Sequence, residues 1–261
     1  MTHHLLDPQR LSGRLQGRTA LITGAGKRIG RALAIALAEE GVQIVAHDRK
    51  AVEEETDRVC AEVNECGSRS WKVLADLERP EEYGDLIEGA FRAAGTVDIL
   101  INNASIFMPG GLQDLTLADL MKQVQVNAWA PFFLSREFSR RVQRGKILNL
   151  LDTRIAGHER THAAYLLSKK MLAELTTMCA LEFAPRVSVN AIAPGAILPP
   201  VGKGPEYLDE LARGLPLKRH GGPQDIADAA VYLLGTDFVT GQVLYVDGGK
   251  HLLGEAEWTA S

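Results

Sequence analysis

Short apolar runs alternate with longer amphipathic stretches along most of the chain, and this alternation restricts the fold more than any other feature of the sequence. A short run that is apolar throughout is typical of a strand covered on both faces. When such runs alternate with helical stretches, right-handed βαβ units around a parallel sheet are expected. The sequence therefore predicts an α/β fold with a doubly wound, seven-stranded parallel sheet and helices on both faces. Strands are predicted at 19–23, 42–46, 70–75, 98–101, 146–151, 187–192 and 243–246, and helices at 29–40, 52–65, 80–94, 117–144, 163–183 and 223–234.

Composition and charge exclude several functional classes. Hydrophobic residues make up 46% of the 261-residue chain and charged residues 24%, as in an ordinary globular protein. The 33 Asp and Glu residues outnumber the 29 Lys and Arg residues, so no basic excess favours a nucleic-acid partner. No stretch is long and apolar enough for a signal peptide or a membrane span, which predicts a cytoplasmic protein without a membrane partner. The three cysteines lack metal-ligand spacing, and no metal site is expected.

A glycine-rich turn follows the first predicted strand. Residues 23–30 read Thr-Gly-Ala-Gly-Lys-Arg-Ile-Gly and lead into a predicted helix. Glycine lets the backbone approach a pyrophosphate closely, and the helix N-terminus offers N–H groups with a partial positive charge. The turn is therefore predicted to bind a dinucleotide rather than to be a plain strand-to-helix loop. The residues expected to contact the cofactor here are Gly24, Lys27, Arg28, Ile29 and Gly30.

Residues at the end of the second predicted strand bear on the choice between NAD and NADP. Asp48 could accept hydrogen bonds from the ribose hydroxyls of NAD, and its charge would oppose the 2′-phosphate of NADP. Lys27, Arg28 and Arg49 lie nearby in the sequence and could instead bind that phosphate. The cofactor is therefore expected to be NADP or NAD, with Asp48 and Arg49 at its adenosine end.

Tyr165 and Lys169 stand four residues apart in a predicted helix, so both side chains lie on one face. A free phenol has a pKa of about 10 and needs a nearby positive charge to act as an acid and base near neutral pH. Lys169 is placed to supply that charge. The alternative for such a pair is a packed tyrosine beside a solvated lysine.

These motifs together resemble the short-chain dehydrogenase/reductase family. Its turn pattern is Thr-Gly-x-x-x-Gly-x-Gly, and here Arg28 stands in place of the middle glycine. The resemblance implies a Rossmann fold with strand order 3-2-1-4-5-6-7 and a nicotinamide cofactor. By the same resemblance, the cofactor also contacts the pair after the third strand, the Asn-Asn-Ala-Ser segment after the fourth, the catalytic pair and the Pro-Gly after the sixth: Asp76, Leu77, Asn103, Ala104, Ser105, Tyr165, Lys169, Pro194 and Gly195.

The resemblance also implies catalytic roles. Tyr165 would give the proton, Lys169 would lower the tyrosine pKa and hold the nicotinamide ribose, and Asn127 would position a water of the proton relay. Asp152 departs from the family, which normally has a serine that donates to a substrate carbonyl at this position. An ionised carboxylate cannot donate a hydrogen bond. Either Asp152 is protonated, Thr153 is the donor instead, or the substrate is not a simple ketone.

Asp152, Arg28 in the turn, Ser105 and a nearby phenylalanine resemble in particular the pteridine reductases and bacterial dihydromonapterin reductases. That resemblance implies a flat, amino-substituted heterocycle that is reduced at a ring C=N bond. Phe107 would stack on the ring and Arg28 would lie at its edge, so the expected substrate contacts are Arg28, Phe107, Asp152 and Tyr165. The runner-up is a reductase or dehydrogenase of a carbonyl or alcohol substrate, of the 3-oxoacyl thioester or sugar type. A third hypothesis is a nucleotide-binding regulator without activity.

Residues 1–16 are expected to form an N-terminal extension, and residues 17–261 a single domain for dinucleotide binding and catalysis. The stretch from 193 to 222 is rich in Pro and Gly and is predicted to be irregular, with a substrate loop at about 196–222. The family resemblance implies a homo-oligomer, a tetramer built through the helices at 117–144 and 163–183.

Overall fold

Seven parallel strands form one sheet in the order β3-β2-β1-β4-β5-β6-β7. The structure is a computed structural model that describes residues 13–200 and 202–253. The strands are β1 (Thr19–Thr23), β2 (Gln43–Asp48), β3 (Ser70–Leu74), β4 (Ile99–Asn102), β5 (Gly145–Leu150), β6 (Val187–Pro194) and β7 (Val243–Val246). From β1 the chain first adds β2 and β3 on one side and then β4 to β7 on the other, so β1 pairs with both β2 and β4. The predicted fold class and strand order are confirmed.

Helices cover both faces of the sheet. They are α1 (Arg28–Glu39), α2 (Glu53–Glu65), α3 (Tyr83–Ala94), α4 (Leu117–Val124), α5 (Ala130–Arg141), α6 (Ala163–Phe183), α7 (Glu206–Gly214) and α8 (Pro223–Gly235). Successive side chains of a strand point to opposite faces, so Ile22 packs in one core cluster with Leu33 of α1, and Leu21 in another with Leu134 of α5. Both β1 residues are fully buried. The sheet is thus covered on each side, as its apolar strands require.

The helix predicted at 117–144 is present from Leu117 to Arg141 but is not α-helical throughout, because one wider, π-helical turn over Gln125–Trp129 lies between α4 and α5. In this turn the N–H of Ala130 bonds to the carbonyl of Gln125, one residue further back than in an α-helix. The cause lies in Pro131, which has no N–H to give to the carbonyl four residues earlier, that of Asn127.

The stretch 193–222 is also more regular than predicted. Pro194 still belongs to β6, and α7 lies within the expected loop. Leu208 and Ala212 are buried on the inner face of α7, and acidic residues occupy its outer face. Glycines and prolines at both ends conceal this short amphipathic pattern in the sequence.

The N-terminal boundary falls partly outside the described residues. Residues 1–12 of the expected extension lie there, as do residues 254–261 at the other end. Leu15 is buried in the core on the α1 side, and the N–H of Gly17 bonds to the carbonyl of Gly41. Across the described residues, no helix has the length and apolarity needed to cross a membrane.

Candidate active site

Two adjoining cavities open at the carboxyl ends of the strands, where ligands bind in open α/β sheets. The larger has a volume of about 390 Å³ and lies beside β1, β5 and α6, with Tyr207, Leu208 and Leu211 of α7 on its wall. The smaller, about 160 Å³, lies at the ends of β2 and β3. They share lining residues, including Asp48 and Ser105, so one extended molecule could occupy both.

The structure gathers most of the predicted site residues around these cavities. Those that line the larger one are Gly24, Lys27, Arg28, Ile29, Gly30, Asp48, Asn103, Ala104, Ser105, Phe107, Asp152, Tyr165, Lys169, Pro194 and Gly195. Arg49, Asp76 and Leu77 line the smaller one, and Asn127 lines neither. Within the described ranges, no group of three or more His, Cys, Asp or Glu residues could hold a metal ion.

The turn after β1 has the shape of a phosphate cradle. Gly24 has a φ of +65°, and a Cβ at this position would lie 3.0 Å from the Cα of Ala104. A Cβ on Gly30 would lie only 2.0 Å from the carbonyl oxygen of Gly24. No side chain caps the N-terminus of α1, and its first turn has no acidic residue. The turn therefore suits a close-lying anion such as the pyrophosphate of a dinucleotide.

Arg28 occupies the place of a glycine and adopts a glycine-like conformation, with a φ of +55°. Such a conformation costs a non-glycine residue about 1–2 kcal/mol. Its guanidinium donates to the carbonyl of Pro199 at 3.0 Å. Arg28 thus connects the turn to the segment after β6, which contains the expected substrate loop.

The carboxylate of Asp48 is held against the turn. Its Oδ2 accepts from the N–H of Gly26 at 3.1 Å, and its Oδ1 accepts from the N–H of Arg49 at 2.9 Å. Lys50, the next residue, forms an ion pair with Glu53 on α2. The side chains of Lys27 and Arg49 are exposed at the rim of the smaller cavity. Positive and negative groups therefore both face the smaller cavity.

Tyr165 and Asp152 form the central contact of the larger cavity. The Tyr165 hydroxyl donates to Oδ2 of Asp152 at 2.9 Å. Burial raises the pKa of Tyr165 well above its usual value of 10, and the charge of Asp152 raises it further. Tyr165 therefore holds its proton at neutral pH. The lowering of the Tyr165 pKa that the resemblance implies for Lys169 is not found, because the described surroundings raise that pKa.

Lys169 lies one helical turn after Tyr165, with its Nζ 5.8 Å from the centre of the tyrosine ring. This ammonium donates to the carbonyl of Leu150 at 2.8 Å. Burial lowers the pKa of Lys169 to about 8, so the group is charged at pH 7 and loses its charge within the mildly alkaline range.

Asp152 meets three hydrogen-bond donors. Besides the Tyr165 hydroxyl, the main-chain N–H of Arg154 bonds to its Oδ1 at 2.8 Å, and Nη1 of Arg154 bonds to its Oδ2 at 3.2 Å. A side chain surrounded by donors acts as a carboxylate acceptor. Thr153 cannot replace the family serine, because its hydroxyl proton is given to Asp247. The expectation that Thr153 could be the donor is wrong in this geometry.

Asn127 is fully buried, and its side chain has all its hydrogen bonds within the protein. Its Nδ2 donates to the carbonyl of Ile106 at 2.9 Å and to Ser168 Oγ at 3.0 Å, and its Oδ1 accepts from Ile106 N and Ser105 Oγ. A contribution to a water relay would therefore fall to the main-chain carbonyl of Asn127. Pro131 has no N–H to give to that carbonyl.

Phe107 lies at the mouth of the larger cavity and is 44% exposed. The His162 ring stacks on it with centroids 4.0 Å apart, and the Tyr165 ring meets it edge-on at 4.6 Å. One face of Phe107 is thus already covered by a side chain of this protein. A substrate ring would have to use the rest of the phenylalanine surface.

Sequence reasoning missed several residues of the cavity wall, foremost Arg154, Tyr207 and Lys250. Arg154 stands two positions after Asp152 in a short helical turn, Thr153–Ala156. Its proximity to an unusual aspartate was a usable signal. Tyr207 and Lys250 come from distant segments, and no signal in the sequence pointed to them.

Comparison with known proteins gives consistent matches over nearly the whole chain. The family model described as enoyl-(acyl carrier protein) reductase matches residues 24–251. An uncharacterized oxidoreductase of Mycobacterium tuberculosis is 36% identical over 90% of this chain and 93% of its own. Glucose 1-dehydrogenase of Gluconobacter oxydans is 32% identical over 96% of this chain and 98% of its own.

Among solved structures, the alternative dihydrofolate reductase FolM of Brucella canis, in complex with NADP, is similar with a TM-score of 0.88. It is 30% identical to this protein, and the match covers 93% of this chain and 97% of that one. The seven-stranded sheet, the glycine turn and these matches show that the chain belongs to the short-chain dehydrogenase/reductase family of NAD(P)-dependent oxidoreductases.

Proposed function

We propose that this oxidoreductase reduces a ring C=N bond of a pteridine-like heterocycle, with Tyr165 as the proton donor. The observation that carries the proposal is the set of hydrogen bonds made by the Asp152 side chain, since all three of its described partners are donors. A carboxylate in this position repels the oxyanion that forms when a ketone is reduced. The same carboxylate can accept from the N–H and NH₂ groups of a pteridine ring. The similarity to a protein named as an alternative dihydrofolate reductase supports this substrate class.

The reaction divides between cofactor and protein. When bound, a dihydronicotinamide would supply the hydride for the ring carbon and would be oxidised in turn. The Tyr165 hydroxyl would give its proton to the ring nitrogen, so that C=N becomes CH–NH. The high pKa of Tyr165 keeps that proton in place until the nitrogen becomes basic enough to take it. The Lys169 ammonium, 5.8 Å from the ring centre, stabilises the phenolate that remains.

The cofactor would lie across both cavities. The cradle of Gly24 and Gly30 would hold the pyrophosphate, Lys169 the nicotinamide ribose, and Asp76 and Leu77 the adenine. NADPH and NADH are both candidates, since Asp48 favours NADH whereas Lys27 and Arg49 favour NADPH. The Brucella canis relative was solved with NADP, which supports NADPH.

A second candidate function is the reduction of a carbonyl or oxidation of an alcohol, such as a 3-oxoacyl thioester or a sugar. The relative named glucose 1-dehydrogenase favours it. In that case Tyr165 would have to both bind and protonate the carbonyl oxygen, because neither Asp152 nor Thr153 offers a hydrogen. The assembled Tyr165, Asp152 and Lys169 support an active enzyme over an inactive regulator.

Replacing Asp152 with serine separates the two candidates. The Asp152→Ser variant should lose activity on dihydrobiopterin, because a hydroxyl carries no charge and does not accept in the bidentate manner of a carboxylate. Its activity on a small ketone should stay equal or increase, since one oxyanion donor contributes about 2.7–4 kcal/mol of barrier lowering. Steady-state rates on both substrates give the result, with cofactor affinity as the control. A wild type that prefers the ketone, and a serine variant that reduces it more slowly, would contradict the proposal.

The assembly is proposed to be a homotetramer. On α6, exposed apolar side chains form a stripe at helical spacing, at Leu167, Met171, Met178 and Leu181. An apolar stripe of this kind on a surface helix is typical of a subunit interface. Light scattering of the purified protein measures the mass that decides this point.

A further inference from the structure

Arg28 joins the glycine turn to residues 195–200, the segment that follows β6. Its Nη2 donates to the main-chain carbonyl of Pro199 at 3.0 Å, although the two residues stand 171 positions apart in the sequence. Among the described residues this is the one hydrogen bond of the guanidinium, and no carboxylate there forms an ion pair with it. A carbonyl carries no net charge. The contact therefore holds Pro199 near the turn and leaves the positive charge of Arg28 without a counter-charge among those residues.

The segment 195–200 forms a wall of the larger cavity, together with the first half of α7. Ile197 is buried, and Leu198 packs against the core on the α1 side, so this part of the segment is anchored by apolar contacts. Pro199 comes directly after these anchors, and its carbonyl is held by Arg28 instead. The cavity wall is thus attached at one end to the core and at the other to the glycine turn.

Arg28 also stands where an anion is expected to bind. It is the first residue of α1, a helix whose N-terminus has no side-chain cap and no acidic residue in its first turn. Its φ of +55° disfavours any side chain, whereas a glycine would adopt it without strain. A guanidinium has five N–H donors in one plane, so a bond to Pro199 leaves further donors for a phosphate. One side chain can therefore contact the cavity wall and an anion in the cradle at the same time.

We propose that Arg28 is a positioning residue that couples occupancy of the pyrophosphate cradle to the placement of the substrate wall. An anion in the cradle fixes the orientation of the guanidinium, which in turn fixes the carbonyl of Pro199. The segment 195–200 and α7 are thereby held over the cavity when the cofactor is bound. Such coupling is reciprocal, so the same contact strengthens cofactor binding. The inference rests on the proposed position of the cofactor, and it holds for either candidate substrate class.

Hydrogen exchange of α7 tests the coupling, because α7 contains none of the expected cofactor contacts. In the wild type, we expect saturating amounts of the more tightly bound nicotinamide cofactor to slow exchange in α7 by about tenfold, as for one charge-assisted hydrogen bond. In Arg28→Met, most of this slowing should be lost at equal saturation, and the Kd of the cofactor should rise by about tenfold. Slower exchange at Asp76 and Leu77 in the smaller cavity shows that the cofactor is bound in each protein.

Two further variants separate the contact from other effects. Arg28→Gly removes the guanidinium but suits the φ of +55°, so it should lose the slowing in α7 although the strain in the turn is relieved. Arg31→Met is the matched control and should behave like the wild type, because Arg31 lies three residues further along α1 and pairs with Glu62 at 2.8 Å.

Equal slowing of α7 exchange in Arg28→Met and the wild type would overturn the inference, as would a wild type whose α7 exchange does not respond to the cofactor. The measurement needs neither substrate nor turnover. It therefore remains decisive if the rates of Asp152→Ser refute the pteridine substrate.

Discussion

The hydroxyl of Tyr165 lies in the larger cavity, holds its proton at neutral pH and donates to Asp152. Tyr165→Phe removes this hydroxyl and leaves the ring that packs edge-on against Phe107. We expect kcat to fall by about 100-fold or more, the usual loss when a general acid is removed. Cofactor affinity should stay near the wild-type value, as measured by fluorescence titration. Tyr232→Phe, at an exposed tyrosine on α8, is the control, and normal turnover by Tyr165→Phe would refute the catalytic assignment.

Asp48 bears on cofactor choice because its carboxylate lies where β2 meets the glycine turn. A unit charge at about 4 Å from a phosphate charge costs on the order of 4 kcal/mol at an effective dielectric of about 20, and less where solvent screens it. Asp48→Ala should therefore weaken NADH binding and strengthen NADPH binding. Fluorescence titration with both cofactors measures the affinity ratio. Asp57→Ala removes an exposed carboxylate from α2 as a control, and an unchanged ratio in Asp48→Ala would exclude Asp48 from the cofactor site.

Some residues of the candidate site could be predicted from the local sequence, and others could not. Tyr165 and Lys169 could be singled out because one helix brings residues four apart onto one face. Asp152 stood out as a departure from a family pattern. The stacking of Phe107 on His162, by contrast, brings together the connection after β4 and the segment before α6. No spacing rule predicts a contact between two irregular segments, so the covered face of Phe107 emerged only from the structure.

Strands and helices, too, could be predicted where their pattern is local and were missed where it is not. Short apolar runs predicted all seven strands. The central strands β1, β4 and β5 are buried throughout, whereas the edge strands β3 and β7 are half-buried. The wider turn between α4 and α5 depends on Pro131, whose effect on the carbonyl four residues earlier is local and could have been predicted. The helix α7 buries Leu208 and Ala212 on one face, but its amphipathic pattern is only 9 residues long and is flanked by glycines and prolines that predict a loop.

The junction of β1 and α1 can be tested through its glycines. In Gly30→Ala the new Cβ would lie 2.0 Å from the Gly24 carbonyl, so the turn must move. We expect weaker cofactor binding and a free energy of unfolding lower by about 1 kcal/mol or more. In Gly84→Ala, in the first turn of α3, the Cβ meets no atom within 4 Å. This control should be neutral or more stable by up to about 1 kcal/mol, since alanine favours a helix.

Urea unfolding and fluorescence titration of the cofactor measure the two effects of these glycine variants. Equal behaviour of Gly30→Ala and Gly84→Ala would show that the turn tolerates a side chain at Gly30. The close approach of Gly30 to Gly24 would then have no functional meaning.

The stability of the whole molecule should depend on pH through His47, a buried residue of β2 beside the smaller cavity. It is 2% exposed, its Nε2 lies 3.1 Å from the Ala75 carbonyl, and its Nδ1 has no hydrogen-bond partner among the described residues. Burial lowers the pKa of His47 to about 4, from 6.5 in an unfolded chain. Between these two values the unfolded chain binds a proton that the folded protein excludes.

The sign of the effect follows from this difference. The free energy of unfolding should therefore decrease as the pH falls from about 6.5 to about 4, by on the order of 1.4 kcal/mol per pH unit from this group alone. Above about pH 6.5 the imidazole is neutral in both states and the contribution is constant. His47→Gln, which cannot titrate, should flatten this part of the profile even if it lowers stability at every pH. Thr177→Ala, at an exposed residue of α6 without a titratable group, should keep the wild-type slope. Urea unfolding at a series of pH values measures both variants, and an equally steep loss of stability in His47→Gln would mean that other groups carry the acid sensitivity of the fold.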